Sequence, residues 1–291
     1  MKHRKTWMII ILFILASFLP AVLFRETIGS VPTWFLWGRI GFFLLLFGVF
    51  QWYKSRELAR MTLVLAAFNG VDMLLISVQR WEGFRVLFPG VTLLQGLQAS
   101  IALKMVSAIV FIILLRILFK RSQDAYLVVG DLSAWVEPIP FLNIRKRQIR
   151  WGRLAFISGF AIAGGTLLLT LITVTGFSFP PGMGERWLQA LPWIFLLALG
   201  NAFSEGILFR NTLLSVLKNV VPVATAVLIA AGFFGVAHYY GAPRGVLGVV
   251  MSSVLGWFLC RSMVDTRGLA APWFIHFLQD LVIFSTMVML L

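Results

Sequence analysis

Nine apolar runs, most of them close to twenty residues, are spaced along this chain, and few folds can accommodate them. They read as Trp7–Phe24, Trp34–Tyr53, Met61–Val78, Leu97–Phe119, Leu154–Phe177, Trp187–Leu217, Pro222–Tyr240, Gly245–Cys260 and Leu269–Leu291. About twenty apolar residues are what a helix rising 1.5 Å per residue needs to cross the hydrocarbon of a bilayer. Inside that hydrocarbon only helices and closed barrels satisfy their own backbone groups. Gly245–Cys260 is short, so eight spans is the alternative count. Charged residues are 12% of the 291 and hydrophobic ones 60%, with a mean hydropathy of +0.93. That is about half the charge that soluble domains carry. The fold class expected is an all-α polytopic membrane protein, a bundle of 8–9 transmembrane helices.

A net charge of +14 invites a nucleic-acid reading, but the basic residues are scattered over short connections, which suits topology and anionic lipid instead. With the N-terminus inside, sixteen Lys and Arg fall on the inner side, five on the outer side and four within spans. The asymmetry places the N-terminus in the cytoplasm. Lys2, Arg4 and Lys5 could head a cleaved signal peptide. The run after them is long for one, so a retained first helix is expected. The single cysteine, Cys260, excludes an intrachain disulfide and a multi-cysteine metal cluster. Lys120–Arg153 is the one long polar connection, with Pro138-Ile-Pro140 and the basic run Arg145–Arg150. It divides the chain into N-terminal helices (1–120, four spans), a cytoplasmic basic linker (121–153) and a C-terminal membrane domain (154–291).

That last domain holds polar residues that are costly in lipid. Glu205 and Arg210 lie within Asn201-Ala-Phe-Ser-Glu-Gly-Ile-Leu-Phe-Arg210, in the middle of an apolar run. Each such charge costs roughly 2.5–3.5 kcal/mol at a helix centre. His238 ends Phe234-Gly-Val-Ala-His238, and His276 and Asp280 stand four apart, on one helix face. Asn69, Asp72 and Lys104 are intramembrane too, and an ion pair of structural purpose or the far wall of a cavity is expected of them. Arg39 and Arg116, near span ends, are expected to snorkel. A grouping of Glu, two His and Asp in desolvated helices points to a functional site in an intramembrane cavity of the C-terminal half.

The chemistry open to these groups is narrow. There is no Gly-x-Ser-x-Gly, no His-Glu-x-x-His and no cysteine pair. A carboxylate that activates water with help from an imidazole remains, with a second polar pair for a developing oxyanion. The alternative is a single zinc ion on Glu205, His238 and His276. Either leads to hydrolysis within the bilayer. Non-catalytic alternatives are a membrane immunity or scaffold protein, or a small-molecule or ion transporter.

Glu205-x-x-x-x-Arg210, Phe234-x-x-x-His238 and His276-x-x-x-Asp280, in this order on late helices, resemble the CAAX prenyl protease and bacteriocin-processing (CPBP, or Abi) family of intramembrane endopeptidases. The resemblance covers roughly Leu154–Leu291. It implies that Glu205 and His238 activate the attacking water, that His276 and Asp280 stabilise the oxyanion, and that Arg210 and Phe234 support the site. It further implies a membrane-associated peptide or protein substrate, prenylated or bearing a leader, and a prokaryotic plasma membrane as the location. The family has been described as metalloproteases, and a glutamate-based mechanism without metal is the better supported, so no cofactor is favoured and zinc is the alternative. This sequence departs from the family pattern at Gly206, where a second Glu is usual, so Arg210 needs another partner.

Overall fold

The computed structural model describes residues 2–90, 92–178 and 180–289. Met1, Leu290 and Leu291, at the outer ends of the N- and C-terminal domains expected from sequence, lie outside the described residues. Helices follow one another as α1 (Lys2–Ala16), α2 (Leu19–Ile28), α3 (Thr33–Trp52), α4 (Arg56–Arg80), α5 (Glu82–Leu87) and α6 (Leu93–Leu118), then α7 (Trp151–Thr170), α8 (Met183–Glu205), α9 (Thr212–Leu217), α10 (Val223–Ala237), α11 (Val246–Thr266) and α12 (Ala270–Met289). No strand is formed among the described residues; the extended segments make only the isolated bridges Trp135–Arg150 and Ile139–Ile144.

Among the described residues seven helices are long and apolar enough to span a bilayer, and eight if a bent pair is one span. The protein is an integral multi-pass membrane protein. Its outer surface carries large apolar side chains such as Leu45, Ile117, Phe160, Leu228 and Val254, as lipid contact requires. Two of the apolar runs differ from straight spans. Trp7–Phe24 is broken into α1 and α2, bent by 51°. Pro222–Tyr240 condenses to the fifteen residues of α10 because Pro222 starts it and His238 ends it.

The described residues form two compact units, each assembled from three stretches: 1–81, 114–125 and 209–261 in the first, and 82–113, 126–208 and 262–291 in the second. In the first unit the rings of Phe18, Phe68, Phe209 and Phe233 pack edge-on or tilted at 4.9–6.5 Å between centroids. Arg39 does not snorkel. It is buried, and its Nη1 donates to the Ser17 carbonyl at 2.9 Å, with its guanidinium 5.2 Å from the Phe35 ring. The break between α1 and α2 frees that carbonyl from the helical ladder, and the arginine satisfies it. Arg116 is exposed, as expected, and bonds Ser122.

The second unit is built on α8 and α12, which run antiparallel. Trp187 Nε1 donates to Ser285 Oγ at 3.1 Å near one end, and Trp273 Nε1 to the Leu199 carbonyl at 3.4 Å near the other. On α8 the buried positions Ala190, Ile194, Leu197, Ala198, Asn201 and Glu205 recur every three or four residues, and so make one face. On α12 the buried stripe is Pro272, His276, Asp280, Phe284 and Val288, at a spacing of four. Ile101 of α6 joins Ile194, Leu197, Ala198, Phe277 and Phe284 in the apolar core. A Cβ on Gly200 would stand 2.9 Å from the Ile101 side chain, which is how closely α6 and α8 approach.

Residues 126–150 are not helical apart from the short turn Pro140–Leu142, so the basic run Arg145–Arg150 forms no interfacial helix. The segment instead folds against the turn between α11 and α12. Leu269 and Ala270 donate their N–H groups to the carbonyls of Val128 and Val129 at 2.9 and 3.1 Å, and Asp131 N–H donates to the Thr266 carbonyl at 2.8 Å. These contacts satisfy amides at the N-terminal end of α12 that its own ladder cannot. Trp151 is fully buried and its Nε1 donates to Asp265 at 3.1 Å.

Candidate functional site

The polar positions of α8 and α12 meet in the interior of the second unit. Asn201, Glu205, His276 and Asp280 are 6%, 4%, 3% and 4% exposed. Two i, i+4 pairs face each other there, Asn201 with Glu205 on α8 and His276 with Asp280 on α12. His276 Nε2 stands 3.7 Å from Glu205 Oε2 and 3.6 Å from Asp280 Oδ1. Both distances are longer than a direct hydrogen bond and within the range of a charge contact. Three of the site residues expected from sequence, Glu205, His276 and Asp280, are therefore brought together by the fold.

Two further residues join this cluster: Lys104, expected from sequence in a structural ion pair or the far wall of a cavity, and Asn201, to which the sequence reading assigns no role. Lys104 of α6 donates from Nζ to Glu205 Oε1 at 2.6 Å and to Asn201 Oδ1 at 2.7 Å. Asn201 Nδ2 in turn donates to Asp280 Oδ2 at 3.0 Å. The ammonium has no acceptor and the carboxylate is here acceptor only, so the Asn201 amide has one orientation that serves both. Lys104 thus pairs with Glu205 rather than with Asp72. The signal available in sequence was the spacing of Asn201 four residues before Glu205, together with a lone lysine in an apolar run.

Asp280 accepts the Asn201 N–H at Oδ2, so that oxygen serves as an acceptor here. Donors at the centre of the cluster are therefore Lys104, Asn201 and, when protonated there, His276. The cluster brings together one lysine ammonium, two carboxylic side chains and one imidazole. Removing one partner of such a buried pair costs about 3–5 kcal/mol, because the other charge is left uncompensated.

The remaining predicted residues belong to the first unit. His238 follows the last turn of α10, partly buried, with Nδ1 2.8 Å from the Phe234 carbonyl and its ring 4.4 Å from that of Phe234. A carbonyl oxygen only accepts, so Nδ1 carries the proton and Nε2 the lone pair, which makes Nε2 the basic nitrogen. Phe234 also packs edge-on against Phe209 at 5.5 Å. Arg210 is 1% exposed and lies in a π-helical turn, Gly206–Asn211, between α8 and α9. Such turns lengthen the helical hydrogen bond to i→i+5 and are frequent at functional sites. Gly206, the departure from the family pattern, is the first residue of that turn.

Among the described residues no three His, Cys, Asp or Glu side chains are grouped so as to hold a metal ion. Within the second unit the position beside Glu205 Oε1 is taken by the Lys104 ammonium, a cation already supplied by the chain. That contact places a cation of the chain on the carboxylate that the zinc alternative would use.

No curated protein and no solved structure matches the chain. Residues 187–282, which carry Glu205, Arg210, Phe234, His238, His276 and Asp280, match the family model described as type II CAAX prenyl endopeptidase Rce1-like.

Proposed function

We propose that the protein is an intramembrane endopeptidase that hydrolyses a peptide bond in a membrane-presented peptide or protein, prenylated or leader-bearing, by glutamate-activated water. The observation that carries the reading is Glu205 buried beside His276 and Asp280, inside the segment that matches the Rce1-like endopeptidases. Glu205 Oε2 takes a proton from water as the water oxygen attacks the scissile carbonyl carbon. His238, by the Phe-x-x-x-His pattern and its basic Nε2, assists that proton removal. His276 donates to the oxyanion of the tetrahedral intermediate, oriented by the Asp280 carboxylate. The proton held by Glu205 then passes to the departing nitrogen, the C–N bond breaks, and a new carboxyl end and a new amine end are released. Asp280, as an acceptor, orients His276 rather than donating to the oxyanion itself. The membrane proposed is a prokaryotic plasma membrane, with the N-terminus cytoplasmic, which the Lys and Arg asymmetry supports.

The test uses the purified protein in liposomes with C-terminally prenylated and leader-bearing peptides, and product detection by mass spectrometry. Glu205→Gln should lower turnover by at least about 100-fold, the usual contribution of a general base. Cleavage should persist with chelators present and after metal-free preparation. Should Glu205→Gln and His238→Ala both cleave at the wild-type rate, the proposed mechanism is wrong. Loss of activity on chelation, restored by zinc alone, would replace it with a metal-dependent one.

A further inference from the structure

Lys104 lies on α6, about eighty residues before the segment that matches the endopeptidase family, and nothing in the motif pattern assigns it a role. Its side chain is 34% exposed, whereas that of Glu205 is 5% exposed. The ammonium thus links an enclosed carboxylate to the more open side of the cluster. It touches two groups at once, Glu205 Oε1 and Asn201 Oδ1. Through the Asn201 amide it also reaches Asp280 Oδ2. One cation therefore ties both buried carboxylates, the first directly and the second through an amide.

We infer that Lys104 is the positioning residue of this site, holding Glu205 ionised and turned so that its second oxygen faces His276. The inference rests on the endopeptidase reading above and adds to it a residue outside the matched segment. Three consequences of the geometry carry it. First, burial alone favours the protonated, neutral form of a carboxyl group, and a carboxylate that must take a proton from water has to be kept ionised. Lys104 stands within hydrogen-bond distance of Glu205 to do this.

Second, Lys104 occupies Oε1, which leaves Oε2 as the oxygen directed at His276, 3.7 Å away. Water activation then falls to one defined oxygen beside the oxyanion donor. Third, Lys104 fixes the Asn201 amide with its oxygen toward the ammonium and its nitrogen toward Asp280. Oδ2 of Asp280 is thereby engaged, and Oδ1 is the oxygen 3.6 Å from His276. Charged groups near Glu205 in this unit include Lys104 from α6 and His276 and Asp280 from α12.

The experiment measures turnover against pH for wild type, Lys104→Met, Lys104→Gln and Lys104→Arg in liposomes, with folded fraction determined by size exclusion. An opposite charge at this range shifts a carboxyl titration by about 1–3 pH units. Loss of the ammonium should therefore move the acid limb of the profile upward by about one unit or more in Lys104→Met. Lys104→Gln keeps two N–H donors without the charge and should show the same displacement, so it decides the matter where Lys104→Met does not fold. Lys104→Arg keeps the charge and should restore the wild-type limb. Acid limbs of Lys104→Gln and wild type that coincide overturn the inference, and so does a Lys104→Arg limb displaced as far as that of Lys104→Gln. If instead Glu205→Gln retains wild-type turnover, it is the endopeptidase mechanism that fails, whatever the Lys104 variants do.

Discussion

The contact between α10 and α11 makes Gly235→Ala a sharp test of packing next to His238. A Cβ built on Gly235 would meet Ser253 Oγ at 1.9 Å and the Val249 carbonyl oxygen at 2.6 Å. The serine can rotate away. The backbone carbonyl cannot, so the helices must separate by roughly 0.8 Å to restore ordinary contact. Overpacking of this kind costs about 1–3 kcal/mol. Alanine is a better helix former than glycine by about 0.8–1 kcal/mol, which offsets part of that cost.

Gly232, one turn earlier on the same helix, supplies the control, because a Cβ there meets nothing within 4 Å. Gly232→Ala should therefore raise thermal stability by about 0.5–1 kcal/mol, while Gly235→Ala lowers it. At roughly 2–4 °C per kcal/mol the two variants should differ by several degrees in Tm. Paired melting curves in one detergent decide it. Gly235→Ala melting at or above the temperature of Gly232→Ala would refute the packing argument, and Ser253→Ala should not rescue it, since the carbonyl stays.

Other expectations follow from single contacts. Arg39→Met removes the donor to the Ser17 carbonyl at the break between α1 and α2, and should cost about 1.5–3 kcal/mol, the usual worth of a charged hydrogen bond. Melting of the detergent-solubilised variant against wild type checks it, and an unchanged Tm would remove Arg39 as the group that holds the bend. Asp131 lies outside the membrane-spanning helices, and the Ser133 hydroxyl and N–H hold its carboxyl below the usual carboxylate range. A depressed carboxyl contributes stability that is present above the unfolded value of about 3.9 and lost as pH falls through the folded value. Tm should therefore drop with acid more steeply in wild type than in Asp131→Asn, and parallel curves would contradict the assignment.

Much of the architecture could be read from the sequence because its signals are local. Runs such as Trp34–Tyr53 and Leu97–Phe119 reappear as Thr33–Trp52 and Leu93–Leu118, since length and apolarity alone make a span. The four-residue step from His276 to Asp280 likewise survives, because helix geometry fixes it. What the sequence did not disclose depends on helices distant along the chain. Lys104 and Glu205 are about a hundred positions apart, and no periodicity records that α6 lies against α8. Arg39 was misjudged for a related reason: its partner carbonyl exists only because α1 breaks at Ser17, and the apolar run there shows no interruption stronger than Pro20. The segment 126–150, rich in charge and poor in pattern, gave no sign that it would fold onto the start of α12.

That segment constrains the start of α12. Gly130 and Gly268 approach so closely that a Cβ on Gly130 would stand 2.8 Å from the Gly268 Cα, and one on Gly268 2.4 Å from the Gly130 Cα. The polar segment and the start of α12 therefore grip each other backbone to backbone, two turns ahead of His276. Anything that pries them apart, such as a side chain, an inserted residue or a protease cut, would let the imidazole-bearing helix slide or rotate. Residues 126–150 thus act as a clamp that sets the register of the helix carrying His276 and Asp280.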